Sequence, residues 1–364
     1  MRLQSLTLKD VRCFKQVSMD FTSQVVLIEG DNGSGKSSIV EALSYCCYVR
    51  SFRTSKGSDI ARIDGDGSFF IRLNGEHDDE AFTLQVGFDG KTKRVKVNGK
   101  VVTGYKALLD CYRAIVLAEH DLALIAEGPD VRRSFFNQYC MLISPTLTET
   151  FKSYKKVLSQ RNSLLSSGYP LRSIQDQLAV WSKQLYELTQ EIEAARCQAM
   201  DILSQEVNEL LETIGRPDLA ISCMYEPKRR ERGSEWEAFW HSYLATKVPR
   251  EMMMKRTLFG AHLDDISIQI GGKPARVFAS RGQQKLLLVL LKIAQARYLE
   301  RKFSGGVVLL FDDFLTDFDQ TILSKLLDLI TQLTCQIVIT CPLHDMLTIE
   351  GAQVISVKEN GVTE

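Results

Sequence analysis

The chain carries no net charge: 45 Lys and Arg balance 45 Asp and Glu over 364 residues. It is no polycation, so any contact with nucleic acid must come from a local patch. Its nine cysteines are odd in number, form no C-x-x-C pair and scatter through apolar stretches (Cys13, Cys111, Cys140, Cys335), which fits reduced thiols. No apolar run approaches the ~18 residues a membrane span needs. The N-terminus alternates around Leu3, Leu6 and Leu8 and lacks a signal-peptide core. These absences point to a cytoplasmic protein without a membrane role. No N-K-x-D base-reading motif is present, which disfavours a GTPase. The remaining composition, 45% hydrophobic and 25% charged, is that of a globular chain long enough for roughly two domains.

What is present is organised around Gly30-Asp31-Asn32-Gly33-Ser34-Gly35-Lys36-Ser37, followed by Ser38. The stretch fits the phosphate-loop pattern G-x-x-x-x-G-K-[ST] at every fixed position. The glycines let backbone N–H groups curl around an anion in conformations a Cβ forbids. Lys36 would reach the outer phosphates of ATP, and the Ser37 hydroxyl would hold Mg²⁺. The apolar run Val25–Ile28 before it reads as a buried strand. Ser37 to Tyr45 after it reads as a helix whose N-terminus faces the phosphates. This context opposes a chance match in a flexible loop.

Met1 to Val11 and Thr22 to Glu29 read as strands. Beyond the loop helix, Ser51-Phe52-Arg53-Thr54-Ser55-Lys56 is either a solvated basic loop or a loop whose Arg53 reaches back to a γ-phosphate. Ser68 to Val102 alternates polar and apolar residues and contains the turn pairs Asp89-Gly90 and Asn98-Gly99, giving an antiparallel meander. Lys93, Arg94, Lys96 and Lys100 lie toward its solvent side, as a solvated face or a contact for nucleic acid. After a short strand at Ala114–Leu117 the period becomes helical. Ile174, Leu178, Trp181, Leu185, Leu188 and Ile192 repeat in steps of four and three, continued by Leu203, Val207 and Ile214. That pattern predicts a long helix packed on its predecessor. The basic run from Lys228 to Arg232 reads as a loop. The expected organisation is an α/β head over 1–120 and 250–364, with an antiparallel β subdomain, interrupted by an inserted helical lobe over 121–249.

The second half of the nucleotide site is expected at Val307–Asp313, an apolar run ending in two carboxylates. Asp312 would hold the Mg²⁺ hydration shell, and Asp313 would stand as general base or water-positioning group. The 276 residues separating Lys36 from Asp312 require a large insertion. Upstream, Ser280-Arg281-Gly282-Gln283 opens a leucine-rich helix and offers a hydroxyl, N–H groups and a helix dipole to a phosphate. Since the chain already has a phosphate loop, Ser280, Gly282 and Gln283 are expected to serve the nucleotide of a second subunit. Leu315 to Asp319 forms a short acidic loop, and Gln336–Thr340 the next buried strand.

In this order, the phosphate loop, Ser-x-Gly-Gln turn and double-acid strand resemble the ABC-type ATPase heads of the SMC class. Glu41-Ala42 after the loop, Ser51-Phe52-Arg53-Thr54, Gly128-Pro129 leading to Arg132-Arg133, and Gln160-Arg161-Asn162-Ser163-Leu164-Leu165 narrow the resemblance to the RecF family of bacterial recombination-repair proteins. It covers nearly the whole chain. Phe52 stands where the family usually has His, His120 where it tends to have Glu, Ala261 and Leu263 where it has Pro and Arg, and Thr316 where it has Ser. The resemblance implies an ATP-dependent homodimeric clamp on gapped or single-strand/double-strand junction DNA, acting with RecO and RecR to help place RecA. Alternatives are an ATP-binding DNA scaffold that hardly hydrolyses ATP, which Asp313 in place of a longer Glu favours, and a transporter's ATPase subunit. The long insertion and heptad lobe oppose the transporter.

Overall fold

The computed structural model describes residues 1–364 except 55–56, 229–234, 304–305, 314, 316–317, 343–347, 359–360 and 364. Parts of the expected basic and acidic loops (Ser55, Lys56, Arg229 to Arg232, Thr316 and Asp317) therefore lie outside the described residues. The chain divides into two compact units, Met1–Leu122 with Glu206–Leu219 and Ala279–Glu364, and Ala123–Gln205 with Ala220–Phe278.

The first unit opens with strands β1 (Arg2–Val11), β2 (Phe14–Asp20) and β3 (Val25–Gly30), then helix α1 (Lys36–Tyr48). A meander of β4 (Phe69–His77), β5 (Glu80–Phe88), β6 (Lys93–Val97) and β7 (Lys100–Val101) leads through α2 (Tyr105–Cys111) to β8 (Ala114–Leu117). The second unit contains α3 (Ala123–Ala126), α4 (Pro129–Ile143), α5 (Leu147–Ser166), most of α6 (Leu171–Thr213), β9 (Ile221–Glu226), α7 (Trp236–Thr246), α8 (Val248–Met254), β10 (Asp265–Ile270), β11 (Lys273–Pro274) and α9 (Ala275–Phe278). The chain then returns to the first unit as α10 (Arg281–Lys302), β12 (Val308–Phe311), α11 (Gln320–Thr331), β13 (Gln336–Pro342), β14 (Gln353–Lys358) and β15 (Gly361–Thr363).

Two sheets build the first unit. An antiparallel sheet runs β2-β1-β4-β5-β6-β7, and a mostly parallel one runs β15-β14-β3-β13-β12-β8. Two interior strands of the second, β3 and β12, are apolar almost throughout and buried, as strands covered on both faces must be. Helix α1 packs on both sheets, touching β1, β4 and β5 as well as β3, β13 and β8. Its apolar surface all round (Ile39, Val40, Leu43, Tyr45, Cys46, Cys47) follows from that double contact. The expected turns form as read: Asn98 and Gly99 both take positive φ, 49° and 79°, the hairpin geometry an Asn-Gly pair favours. Lys93 departs from expectation. Strand alternation turns it toward α1, where its ammonium donates to Val49 O at 3.0 Å and lies over the Tyr45 ring.

The heptad reading is realised as α6, a helix of 43 residues. In the second unit its Leu178, Leu185, Tyr186 and Ile192 share a core with Tyr154, Val157 and Leu165 of α5. Its last turns belong to the first unit, where Glu206 and Glu209 pair with Arg297 and Arg301 of α10. The second unit is not purely helical. A three-stranded sheet, β11-β10-β9, was not anticipated, and it brings residues 250–278 into this unit rather than the head. Arg132 of α4 grips Asp265 at the start of β10 with contacts of 3.0 to 3.1 Å. Among the described residues no helix is long and apolar enough to cross a membrane.

Within this unit His262 carries a pH dependence. Burial, reinforced by Arg133, Arg161 and Arg196, pushes its imidazole from 6.5 down to about 4, and Nδ1 meets Tyr154 Oη at 2.7 Å. Between those values the unfolded chain binds the proton and the folded one does not. Stability should therefore fall as pH drops from about 6.5 toward 4, at up to ~1.4 kcal/mol per pH unit, and be insensitive to this group above. Urea midpoints should show a shallower slope in that window for His262→Gln. An unchanged slope would remove His262 as the cause.

Candidate nucleotide-binding site

The site is assembled at the carboxyl ends of β3 and β12, the two strands flanking β13 in the parallel sheet. Strand β3 delivers Gly30, and the chain turns through Asp31–Gly35 into α1. Gly35 is the N-cap of α1 with φ 111°. A Cβ there would come within 2.5 Å of the Phe14 ring and 2.7 Å of Cys13 Sγ, so both conformation and space require glycine. A Cβ on Gly30 would collide with Val357 O and come within 2.6 Å of Ser34 Oγ. Ser34 Oγ is itself buried with no hydrogen-bond partner among the described residues. Lys36 is only 4% exposed, and its ammonium donates to Gly30 O at 2.8 Å and Asp31 O at 3.2 Å. The cation is thus folded over the loop's own first carbonyls. Ser38 is buried and its hydroxyl is hydrogen-bonded to the Cys13 thiol, whereas Asp31, Asn32 and Gly33 are exposed.

Strand β12 ends in the acid pair. Burial raises the Asp312 carboxyl above its ordinary range and neighbouring Asp313 adds to this, while hydrogen bonds from Ser37 and Thr340 and the charge of Arg53 oppose it. Ser37 and Asp312 are therefore together, 275 residues apart in the chain. Thr340, which sequence reading placed only as part of a strand, links the two acids. Its Oγ1 lies 3.2 Å from Asp312 Oδ1 and 3.1 Å from Asp313 Oδ1, and accepts from Asp313 N at 2.8 Å. With one hydroxyl proton, Thr340 can donate to only one carboxylate at a time. Asp313 takes φ 48°, a left-handed conformation that this N–H bond holds in place.

Arg53 is half-exposed, with Nη1 3.8 Å from Glu41 Oε2. Sequence reading assigned no role to Glu41, yet this carboxylate on the loop helix is 1% exposed and organises the whole side of the site. Arg12 donates to it from Nε at 2.8 Å and from Nη2 at 2.6 Å, and Ser51 Oγ donates as well. Ser51 Oγ in turn accepts from Arg53 N at 2.9 Å and Thr54 N at 3.0 Å. Glu41 thereby ties the β1–β2 turn, the loop helix and the Arg53 loop together. An acid among Ile39, Val40, Ala42 and Leu43 on a buried helix was the available signal. Phe52 and His120 stack on each other, centroids 5.4 Å apart and planes 11° apart, so the two family departures form one contact.

Ser280, Gly282 and Gln283 stand apart in role. Ser280 caps α10 in a reciprocal box: its Oγ accepts from Gln283 N at 3.3 Å, and its N donates to Gln283 Oε1 at 2.8 Å. The turn is exposed, and a Cβ on Gly282 would meet nothing within 4 Å. The Ser280 hydroxyl proton is left to donate outward.

The family described as "AAA domain" matches residues 5–214. Among solved structures, the recombination mediator protein RecF-ATPrS superposes with a TM-score of 0.84 at 25% identity, covering 99% of this chain and 97% of that one. An SMC head bound to the C-winged helix domain of ScpA superposes with a TM-score of 0.57 at 16% identity, covering 100% and 98%. Fold and phosphate loop together are those of the ABC/SMC class of head domains. Among curated relatives, "DNA replication and repair protein RecF" of Desulforamulus reducens is 31% identical over 337 residues, covering 90% of this chain and 89% of the relative. Its namesake from Acetivibrio thermocellus is 29% identical over 352 residues, covering 92% and 93%. The chain belongs to the RecF family.

Proposed function

We propose that this chain is an ATP-dependent DNA-binding protein of recombinational repair and replication. It forms an ATP-gated homodimer on gapped or single-strand/double-strand junction DNA, hydrolyses ATP weakly, and works with RecR and RecO in the cytoplasm. The observation that carries this reading is the meeting of Ser37 and Asp312 beside a loop whose Gly30 and Gly35 leave no room for a Cβ, with the buried Lys36 folded over its first carbonyls. Backbone N–H groups from Gly30 to Ser38 and the Lys36 ammonium would hold the phosphates, Arg53 would reach the outermost one, and Ser37 with Asp312 would hold Mg²⁺. Mg²⁺, when bound, neutralises charge on the β- and γ-phosphates. The exposed Ser280 turn, with its free hydroxyl proton and open Gly282, suits a phosphate presented by a second subunit.

Sizing the protein with and without ATP, then adding gapped DNA, tests the reading. A mass doubling with ATP-Mg²⁺, lost in Ser280→Arg and prolonged in Asp313→Asn, is expected. A mass indifferent to ATP would refute the gated dimer. A second reading, an ATP-binding scaffold with negligible hydrolysis, is favoured by Asp313, whose carboxylate and N–H are both engaged by Thr340. Turnover with and without DNA separates the two.

A further inference from the structure

Strand alternation divides the antiparallel sheet into an apolar face and a polar face. The α1-facing side consists of Leu6, Leu8, Val17, Met19, Ile71, Leu73, Leu84 and Val86, all buried. On the opposite side, register aligns residues from successive strands into rows. One row is Ser18, Thr7, Arg72, Gln85 and Lys96; the next is Gln16, Lys9, Phe70, Gly87 and Arg94. The sequence reading placed basic residues only on β6 and β7. Pairing adds Lys9 from β1 and Arg72 from β4, and removes Lys93 and Lys100 to the other side. With strands ~4.8 Å apart and same-face residues ~6.8 Å apart along a strand, these four cations cover a field of about 14 by 7 Å.

Neither row contains a carboxylate. Among the described residues none of Lys9, Arg72, Arg94 and Lys96 makes a salt bridge. The acids of this face, Asp20 and Glu76, lie toward its far end, in or beyond the row of Ser5, Asn74 and Thr83. That row is self-satisfied, with Asn74 donating to Ser5 Oγ at 2.9 Å and accepting from Thr83 Oγ1 at 3.0 Å. Asp66 and Asp89 feel Lys9 and Arg94 electrostatically, but each accepts from N–H groups of its own turn: Ser68 for Asp66, and Lys91 and Thr92 for Asp89. Arg72 spreads over the Phe70 ring, 5.5 Å from its centroid, which fixes the guanidinium on the face rather than leaving it to wander.

We propose that this outward sheet face is a docking surface for the phosphodiester backbone of duplex DNA. The proposal rests on the DNA-binding reading above and gives it a location. In a chain with no net charge, an open field of unpaired cations bounded by committed acids selects a polyanion. A sheet face with no helix of its own to enter a groove fits contacts to the backbone rather than to base edges.

The test is the salt dependence of binding to a duplex with a single-stranded gap, measured on the full chain with ATP-Mg²⁺. A variant carrying Lys9→Gln, Arg72→Gln, Arg94→Gln and Lys96→Gln should bind more weakly, with a log–log salt slope shallower by up to about 3.6 for each bound subunit, from ~0.9 per lost phosphate contact. ATP binding should be unchanged, since none of the four touches the phosphate loop. Gln85→Lys, which adds a cation between Arg72 and Lys96 in the same row, should steepen the slope by about 0.9 for each bound subunit; this keeps the proposal testable should the fourfold variant misfold. If the wild type does not bind DNA, the reading beneath the proposal fails and the proposal with it. If the wild type binds, but both variants match it in affinity and slope, the surface assignment alone is wrong. It is equally wrong if the fourfold variant loses binding only to phosphatidylserine vesicles.

Discussion

Replacing Lys36 with methionine should lower ATP affinity by at least about 100-fold, equivalent to ~2.7 kcal/mol. Lys36 is the cation the loop itself supplies, and it is 4% exposed, so a phosphate in the cradle would meet it with little competing water. Its present partners are carbonyl oxygens, Gly30 O and Asp31 O, which offer dipoles where a phosphate offers full negative charge. The exchange therefore favours the nucleotide, and methionine forfeits it while filling the same aliphatic path. Ligand-induced stabilisation reads this without any activity assay. At 100 times the wild-type Kd, ATP should raise the unfolding free energy of the wild type by ~2.7 kcal/mol and that of the variant by no more than ~0.4 kcal/mol. Equal stabilisation of both proteins by ATP-Mg²⁺ would remove the loop from the nucleotide site.

What could be read from the sequence was whatever the chain states locally. The run Val25–Ile28, the glycines, Lys36 and the helix after it follow one another within a few turns, and each constrains its neighbour. The strand ending at Asp312 was legible for the same reason, since an apolar run broken by acids marks a strand end. The heptads of α6 declared a long helix. Pairings across long separations were not legible. Lys9 and Arg72 join Lys96 only through strand register, which no periodicity encodes. Glu41 looked like one residue of a motif until Arg12 and Ser51 closed on it. The sheet of β9, β10 and β11 was missed because 38 residues separate the end of β9 from the start of β10, so their pairing has no local signal. The stack of Phe52 on His120 explains two departures at once, but only three dimensions bring them together.

The family motif around Arg161 carries the other large effect, and it is structural. Arg161 and Glu251 are both 0% exposed and joined in a fork, Nη1 to Oε1 at 2.9 Å and Nη2 to Oε2 at 2.5 Å. The guanidinium also donates to Ser182 Oγ and Thr257 Oγ1, each at 2.8 Å, and lies over the Phe259 ring. Glu251 accepts further from Tyr243 Oη at 2.8 Å and Leu258 N at 2.6 Å. One ion pair thus ties α5, α6, α7, α8 and the segment before β10 within the second unit. Removing one partner strands the other charge without water, so Arg161→Met should cost about 3–5 kcal/mol. Adding Glu251→Met should recover part of that loss, because no charge is then buried alone. Recovery stops short of complete, since Leu258 N–H and the Tyr243 hydroxyl lose their acceptor. Urea unfolding of both single variants and the double variant gives the coupling directly, expected at about 2 kcal/mol, within the range for residues in contact. ATP affinity of the folded Arg161→Met protein should match the wild type. A single-variant cost below about 1 kcal/mol, or additive losses in the double variant, would mean that this pair does not hold the unit together.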